Sequence, residues 1–144
     1  MDASNPVVRL CAEGMELERA GRRDEAARAF TLAWEQSRDD YDRCIAAHYL
    51  ARAQASPNEN LRWNLKSLGH ADALTYERVA GFYPALYLNI AWAHEDLGHR
   101  DEARMYYELA SLRLRSLPAG TYRETVRDGI ERGLERVSRP ATTA

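Results

Sequence analysis

Along the whole chain the apolar positions recur at helical rather than strand spacing, and turn residues punctuate them at regular intervals. Pro6, with Ser4 and Asn5 before it as candidate caps, opens a first helix to about Ala20, where Gly21 stops it. A second, from about Asp24 to Ser37, carries Ala26, Phe30, Ala33 and Trp34 on one stripe. Asp39 or Asp40 caps a third, running through Cys44, Ala47, His48 and Ala51 to about Ala55. Ser56-Pro57-Asn58 then breaks the chain, and a fourth helix places Leu61, Leu65 and Leu68 along one side. Pro84 to Leu97, stopped by Gly98, reads as a fifth; its front is expected to start near Glu77 and to bend at Pro84. A sixth spans Asp101 to Ser116. After Leu117-Pro118-Ala119-Gly120, Thr121 and Glu124 have capping-box spacing for a seventh. That helix aligns Val126, Ile130, Leu134 and Val137, with Gly129 and Gly133 beside the stripe, and a frayed tail is expected from Ser138.

Composition agrees with this reading. Ile and Val together number only eight, whereas Ala, Leu, Glu and Arg abound, so strand formers are scarce. A length of 144 residues fits one domain, and 45% hydrophobic with 29% charged residues is a globular balance. No apolar run approaches twenty residues, so no membrane span is expected, and the first residues lack a secretory pattern. Two cysteines are too few for a disulfide framework, which points to a reducing cytoplasm. A net charge of -2 argues against nucleic acid as a partner. Lys66 is the single lysine among 20 basic residues, a bias that with the many alanines suggests a GC-rich bacterial coding sequence.

An internal repeat is the strongest signal. Gly21-Arg22-Arg23-Asp24-Glu25-Ala26 and Gly98-His99-Arg100-Asp101-Glu102-Ala103 agree at five of six positions, 77 residues apart. Extended outward, the first copy reads Leu10-x2-Glu13-Gly14-x2-Leu17, then Ala26-x3-Phe30, then Ala33. The later one reads Tyr87-x2-Ile90-Ala91-x2-His94, then Ala103-x3-Tyr107, then Ala110. With these residues the chain resembles the tetratricopeptide repeat family, whose pattern is W-x2-L-G-x2-Y, A-x3-F, P. Glu13, His94, Arg38 and Arg115 depart from that pattern, and the middle unit is expanded and degenerate. The resemblance implies an all-α fold of three antiparallel helix pairs stacked as a short right-handed superhelix, plus a C-terminal capping helix. Within a single domain over 1–144, residues 6–38 are the first repeat, 39–74 the degenerate middle repeat, 75–116 the third and 121–138 the cap.

Motifs that carry chemistry are mostly missing: there is no phosphate-binding glycine loop, dinucleotide fingerprint, nucleophile elbow or clustered cysteine pair. His94-Glu95-Asp96-Leu97-Gly98-His99 imitates a zinc-protease helix, but the spacing is one residue too long and His99 lies past the Gly98 stop, so no metal is expected. Cys11 and Cys44 read as buried small hydrophobes, and Trp34, Tyr106 and Tyr107 as inter-helix packing. The charges of the last helix, Asp128 to Arg132 and Glu135 to Arg139, read as i,i+4 pairs on a solvated face.

The resemblance places function on a concave surface lined by the first helix of each pair. Projected register brings Cys11, Met15 and Glu18 there from the first helix, Ile45, Tyr49 and Arg52 with His48 at the edge from the middle one, and Leu88, Asn89, Trp92 and Glu95 from the fifth. Of the set by which chaperone-adaptor members hold a peptide carboxylate, only Asn89 is matched. The expected function is a non-catalytic module binding a peptide or protein segment, without cofactor, with Met15, Glu18, His48, Tyr49, Arg52, Asn89, Trp92 and Glu95 as its binding residues, and Trp92 either as anchor or packed on the middle helix or a dimer partner. Two alternatives stand beside it. One is a small-molecule binder or unusual enzyme with a pocket of His48, Tyr49, Arg52, Trp92 and Glu95. The other is a self-association module, filled by a second copy.

Overall fold

Three of the helices among the described residues begin at a side-chain cap. In the computed structural model, which describes residues 2–140, the Asn5 side chain accepts the Val7 N–H at 2.8 Å and opens α1 (Pro6–Arg19) with proline at its start. Then come α2 (Arg23–Glu35) and α3 (Asp40–Arg52), the latter capped by Asp39, whose carboxylate accepts the Asp42 N–H at 2.8 Å. In α4 (Pro57–Asp72) the Ser56 hydroxyl is the cap and Pro57 the first residue. The predicted break at Ser56-Pro57-Asn58 is therefore a helix start; the interruption itself covers residues 53–56. A single helical turn, α5 (Tyr76–Val79), and a 3-10 turn (Ala80–Phe82) lead into α6 (Tyr83–Asp96). The expected helix from Glu77 bent at Pro84 is thus divided ahead of the proline, which serves the first turn of α6. Next follow α7 (Arg100–Arg113), a 3-10 turn (Leu114–Ser116) and α8 (Thr121–Ser138). The capping box at Thr121 does not form. Thr121 already lies inside α8, where its carbonyl accepts the Thr125 hydroxyl, and Glu124 pairs with Arg127 instead. Of the expected tail from Ser138, residues 141–144 lie outside the described residues.

All regular elements among the described residues are helices, and they pack in adjacent pairs: α1 with α2, α3 with α4, and α6 with α7. Contacts group the chain into two compact units, one ending at Thr75 and the other starting at Tyr76.

In the first unit, Phe30 is fully buried with its ring where a Cβ on Gly14 would stand, 2.3 Å from the ring edge, so α1 and α2 touch through the bare glycine. Tyr49 stacks on the same ring, with centroids 5.5 Å apart. Asp42, only 2% exposed, is held by the Asn5 amide at 2.8 Å and the Arg38 N–H at 3.1 Å, which ties the start of α3 to the start of α1. The stripe expected on α4 is rotated. Asn64, Ser67 and Ala71 are the buried residues and Leu65 is exposed. Burial of Ser67 is tolerated because its hydroxyl donates to the Cys44 carbonyl at 2.7 Å; the Asn64 amide nitrogen donates to Asn60, while its Oδ1 has no hydrogen-bond partner among the described residues. Trp34 on α2 meets Trp63 on α4 edge to face, the inter-helix packing its spacing suggested.

In the second unit, α8 lies against both α7 and α6. Val126, Ile130 and Val137 are buried with Leu88, Ala91, Ala103, Tyr107 and Ala110, and Leu134 flanks them. Tyr107 holds the repeat position of Phe30 and likewise rests on a glycine, but on Gly133 of α8 rather than on its own partner helix. Asp128–Arg132 and Glu135–Arg139 form the expected i,i+4 pairs.

The repeated hexapeptide is a turn of fixed geometry. Gly21 and Gly98 have φ of 78° and 79°, which a side chain disfavours. In each copy the next residue donates its N–H back to the helix just ended, Arg22 to Leu17 at 2.9 Å and His99 to His94 at 2.8 Å. Asp24-Glu25 and Asp101-Glu102 then fall in the first turn of the following helix, where negative charge is favoured.

Candidate functional site

The ends of α1 and α3 and the start of α2 enclose a cleft of about 640 Å³ in the first unit. Met15, Glu18 and Arg19 come from α1; Arg23, Asp24, Ala26 and Ala27 from α2; Arg52 closes α3, followed by Ala53, Gln54 and Ala55. The alanines and Met15 give an apolar floor, and the charged groups stand around it. Glu18 Oε1 lies 3.0 Å from Arg52 Nη2, an ion pair that joins the two helix ends across the cleft. Arg19 turns to Glu16 at 2.6 Å. Arg23 and Asp24 are exposed, and neither side chain has an ion pair or hydrogen bond among the described residues. A cation and an anion, adjacent in sequence at the start of a helix, are thus left with their bonding capacity open to solvent.

Three of the eight expected binding residues, Met15, Glu18 and Arg52, line this cleft. His48 and Tyr49 do not. Their rings meet edge to face at 5.1 Å, and Tyr49 packs on Phe30. Burial, and secondly the charge of Arg52, pushes the His48 imidazole down to about 4, so it is neutral at pH 7. Cys11 and Ile45, projected onto the same surface, are core residues. Burial raises the thiols of Cys11 and Cys44 to about 12 and about 11, values at which neither is a nucleophile at neutral pH.

The other three expected residues lie in the second unit. Trp92 is 42% exposed, and one edge of its indole rests over Gly129, beside buried Leu88. Asn89 on the same helix is half-buried. Glu95 is committed to the fold. It accepts the Tyr107 hydroxyl at 2.5 Å, and Arg136 of α8 reaches both of its oxygens, at 2.7 and 3.1 Å. Its pKa is lowered, chiefly by Arg136, while burial first and Glu95 second raise that of Tyr107. Both Glu95 oxygens are thus taken up within the second unit, by Arg136 and Tyr107.

Arg19, Arg23, Asp24 and Gln54 were not anticipated as site residues. Arg23 and Asp24 belong to the repeated hexapeptide, which is equally a structural turn signal, whereas Arg19 and Gln54 lie outside it and carry no motif of their own. Among the described residues no three His, Cys, Asp or Glu side chains gather as a metal site, and no helix is long and apolar enough to cross a membrane. No family model matches the chain, and no curated protein matches it.

Proposed function

We propose that the chain is a short tetratricopeptide-like module that binds a peptide or protein segment, and that the cleft of the first unit is where it does so. The family reading is supported by the two matching turns and by the burial of Ala26, Phe30 and Ala33 in one copy and Ala103, Tyr107 and Ala110 in the other. The binding reading is carried by one observation, the cleft between α1, α2 and α3 with Arg23 and Asp24 unpaired at its edge. An apolar floor bordered by open charges of both signs suits a segment presenting an apolar side chain between an acidic and a basic one. The titratable side chains of the lining are Glu18, Asp24 and the arginines, a set suited to ionic recognition of a bound segment.

Panning a displayed random-peptide library against the full chain tests the reading. Selected peptides should carry both charges, and Arg23→Glu or Asp24→Arg should weaken them at least tenfold, with melting unchanged. Trp92→Ala is the comparison in the second unit. A loss of about thirtyfold there, with Arg23 and Asp24 variants neutral, would move the site to Trp92. Failure to enrich any peptide would overturn the peptide-binding reading.

A further inference from the structure

The turn between α6 and α7 carries two of the chain's four histidines, and it brings their rings together. Nδ1 of His94 lies 3.0 Å from Nδ1 of His99, with ring centroids 5.3 Å apart and planes tilted by 45°. On a continuous helix residues five apart point to different faces, which is why the sequence spacing spoke against a shared site. Gly98, at φ of 79°, reverses the chain, and the His99 N–H bonded to the His94 carbonyl at 2.8 Å clamps the two residues side by side. His94 is further fixed by stacking on Tyr106, with centroids 5.5 Å apart and planes within 15°. His99 is exposed and His94 half-buried, so the pair is open to solvent.

The fold does not require these histidines. The first copy of the same turn, with the same φ at Gly21 and the same back-bond, has Leu17 and Arg22 at the two positions. Geometry gives the pair a use. With metal–nitrogen bonds of about 2.0–2.1 Å, nitrogens 3.0 Å apart subtend about 91–97° at a common ion, whereas a tetrahedral ion spreads them to about 3.4 Å. A right-angle pair of imidazoles suits Cu(II) or Ni(II), and Cu(II) is held the more tightly of the two. Local charge is compatible. Glu102 places a negative charge near His94. The guanidinium of Arg100, next to His99, is turned away onto the carbonyls of Val137 and Arg136, at 2.8 and 3.1 Å.

We propose that His94 and His99 form a two-imidazole chelate for a divalent late transition-metal ion, Cu(II) foremost, with water in the remaining coordination positions. In the free pair one Nδ1–H donates to the other Nδ1. On binding, the donating ring passes that proton through water to its own Nε2. Both rings remain neutral, and both Nδ1 lone pairs turn to the ion. This inference is independent of the peptide-binding reading, which concerns the other unit.

The test is Cu(II) titration of the full chain in a non-coordinating buffer, followed by calorimetry and electron paramagnetic resonance. One equivalent should bind, with hyperfine structure from two nitrogens. The informative variant is the double substitution His94→Leu and His99→Arg, which copies the residues the first turn already accommodates. It should bind Cu(II) at least tenfold more weakly, and each single substitution should weaken binding too. Equal uptake by wild type and double variant would overturn the site, as would a spectrum lacking nitrogen donors. Should the double variant melt early, the wild type still decides. Substoichiometric Cu(II) should broaden the amide resonances of residues 94–99 first, and broadening centred on His48, His70 or the amino terminus would overturn the proposal.

Discussion

At Gly133 an added Cβ would stand 2.1 Å from Cζ of Tyr107, and that ring cannot step aside because its hydroxyl is held by Glu95 and Arg136. Gly133→Ala should therefore cost at least the 1–3 kcal/mol typical of overpacking. Gly129→Ala meets only the ends of Leu88 and Trp92, at 3.1 and 3.2 Å, and should cost clearly less. Urea melts of the two variants measure the difference, and equal costs would mean that the Tyr107 ring is free to move. The same ring leads to a pH prediction. Arg136 first, and Tyr107 after it, hold the Glu95 carboxyl below its ordinary value, against the opposing effect of partial burial. A folded pKa below the unfolded one means that the carboxylate's contribution is complete above the unfolded value of about 4.3 and is lost as pH falls through the lower folded value. With Arg136 nearly half exposed, Arg136→Ala should cost about 1 kcal/mol at pH 7. That cost should shrink towards zero in melts taken below the folded value, and a pH-independent cost would assign Arg136 a packing role instead.

At the scale of elements, α8 is the piece whose removal is most informative. Its Val126, Ile130, Gly133 and Val137 face the second unit, and the Arg100 guanidinium holds the carbonyls of its last turn. A chain ending after Leu117 would uncover Tyr107 and leave Glu95 without Arg136. The expected product aggregates or melts early, as a repeat array without its terminal cap does. Size-exclusion chromatography and a thermal melt check this. A monomer as stable as the full chain would make α8 an appended arm rather than a structural cap.

For the molecule as a whole, the division at residues 75 and 76 has its own consequence. The first unit has internal ties that need nothing beyond Thr75: Phe30 on Gly14, Asp42 on Asn5, and Ser67 on Cys44. A fragment of residues 1–75 should accordingly give a helical far-UV circular dichroism spectrum with a cooperative melt. An uncooperative, weakly helical fragment would show that these ties do not suffice by themselves.

The all-helical class, the cap at Asn5, the glycine stops at Gly21 and Gly98, and the stripe of α8 were legible in the sequence because each follows from contacts within a few residues. Met15, Glu18 and Arg52 were reached by projecting helix faces, and the structure brings those three to one cleft. Other features were settled by neighbours distant in sequence. Ser67 rather than Leu65 occupies the buried face of α4, and its hydrogen bond to the Cys44 carbonyl makes that polar burial tolerable. Glu95 became part of the fold because Arg136, 41 residues on, reaches it. His94 and His99 met because a glycine with positive φ turned the chain between them. Helical periodicity records which face of a helix is apolar; which groups then meet across helices depends on packing, and that is a property of the tertiary structure alone.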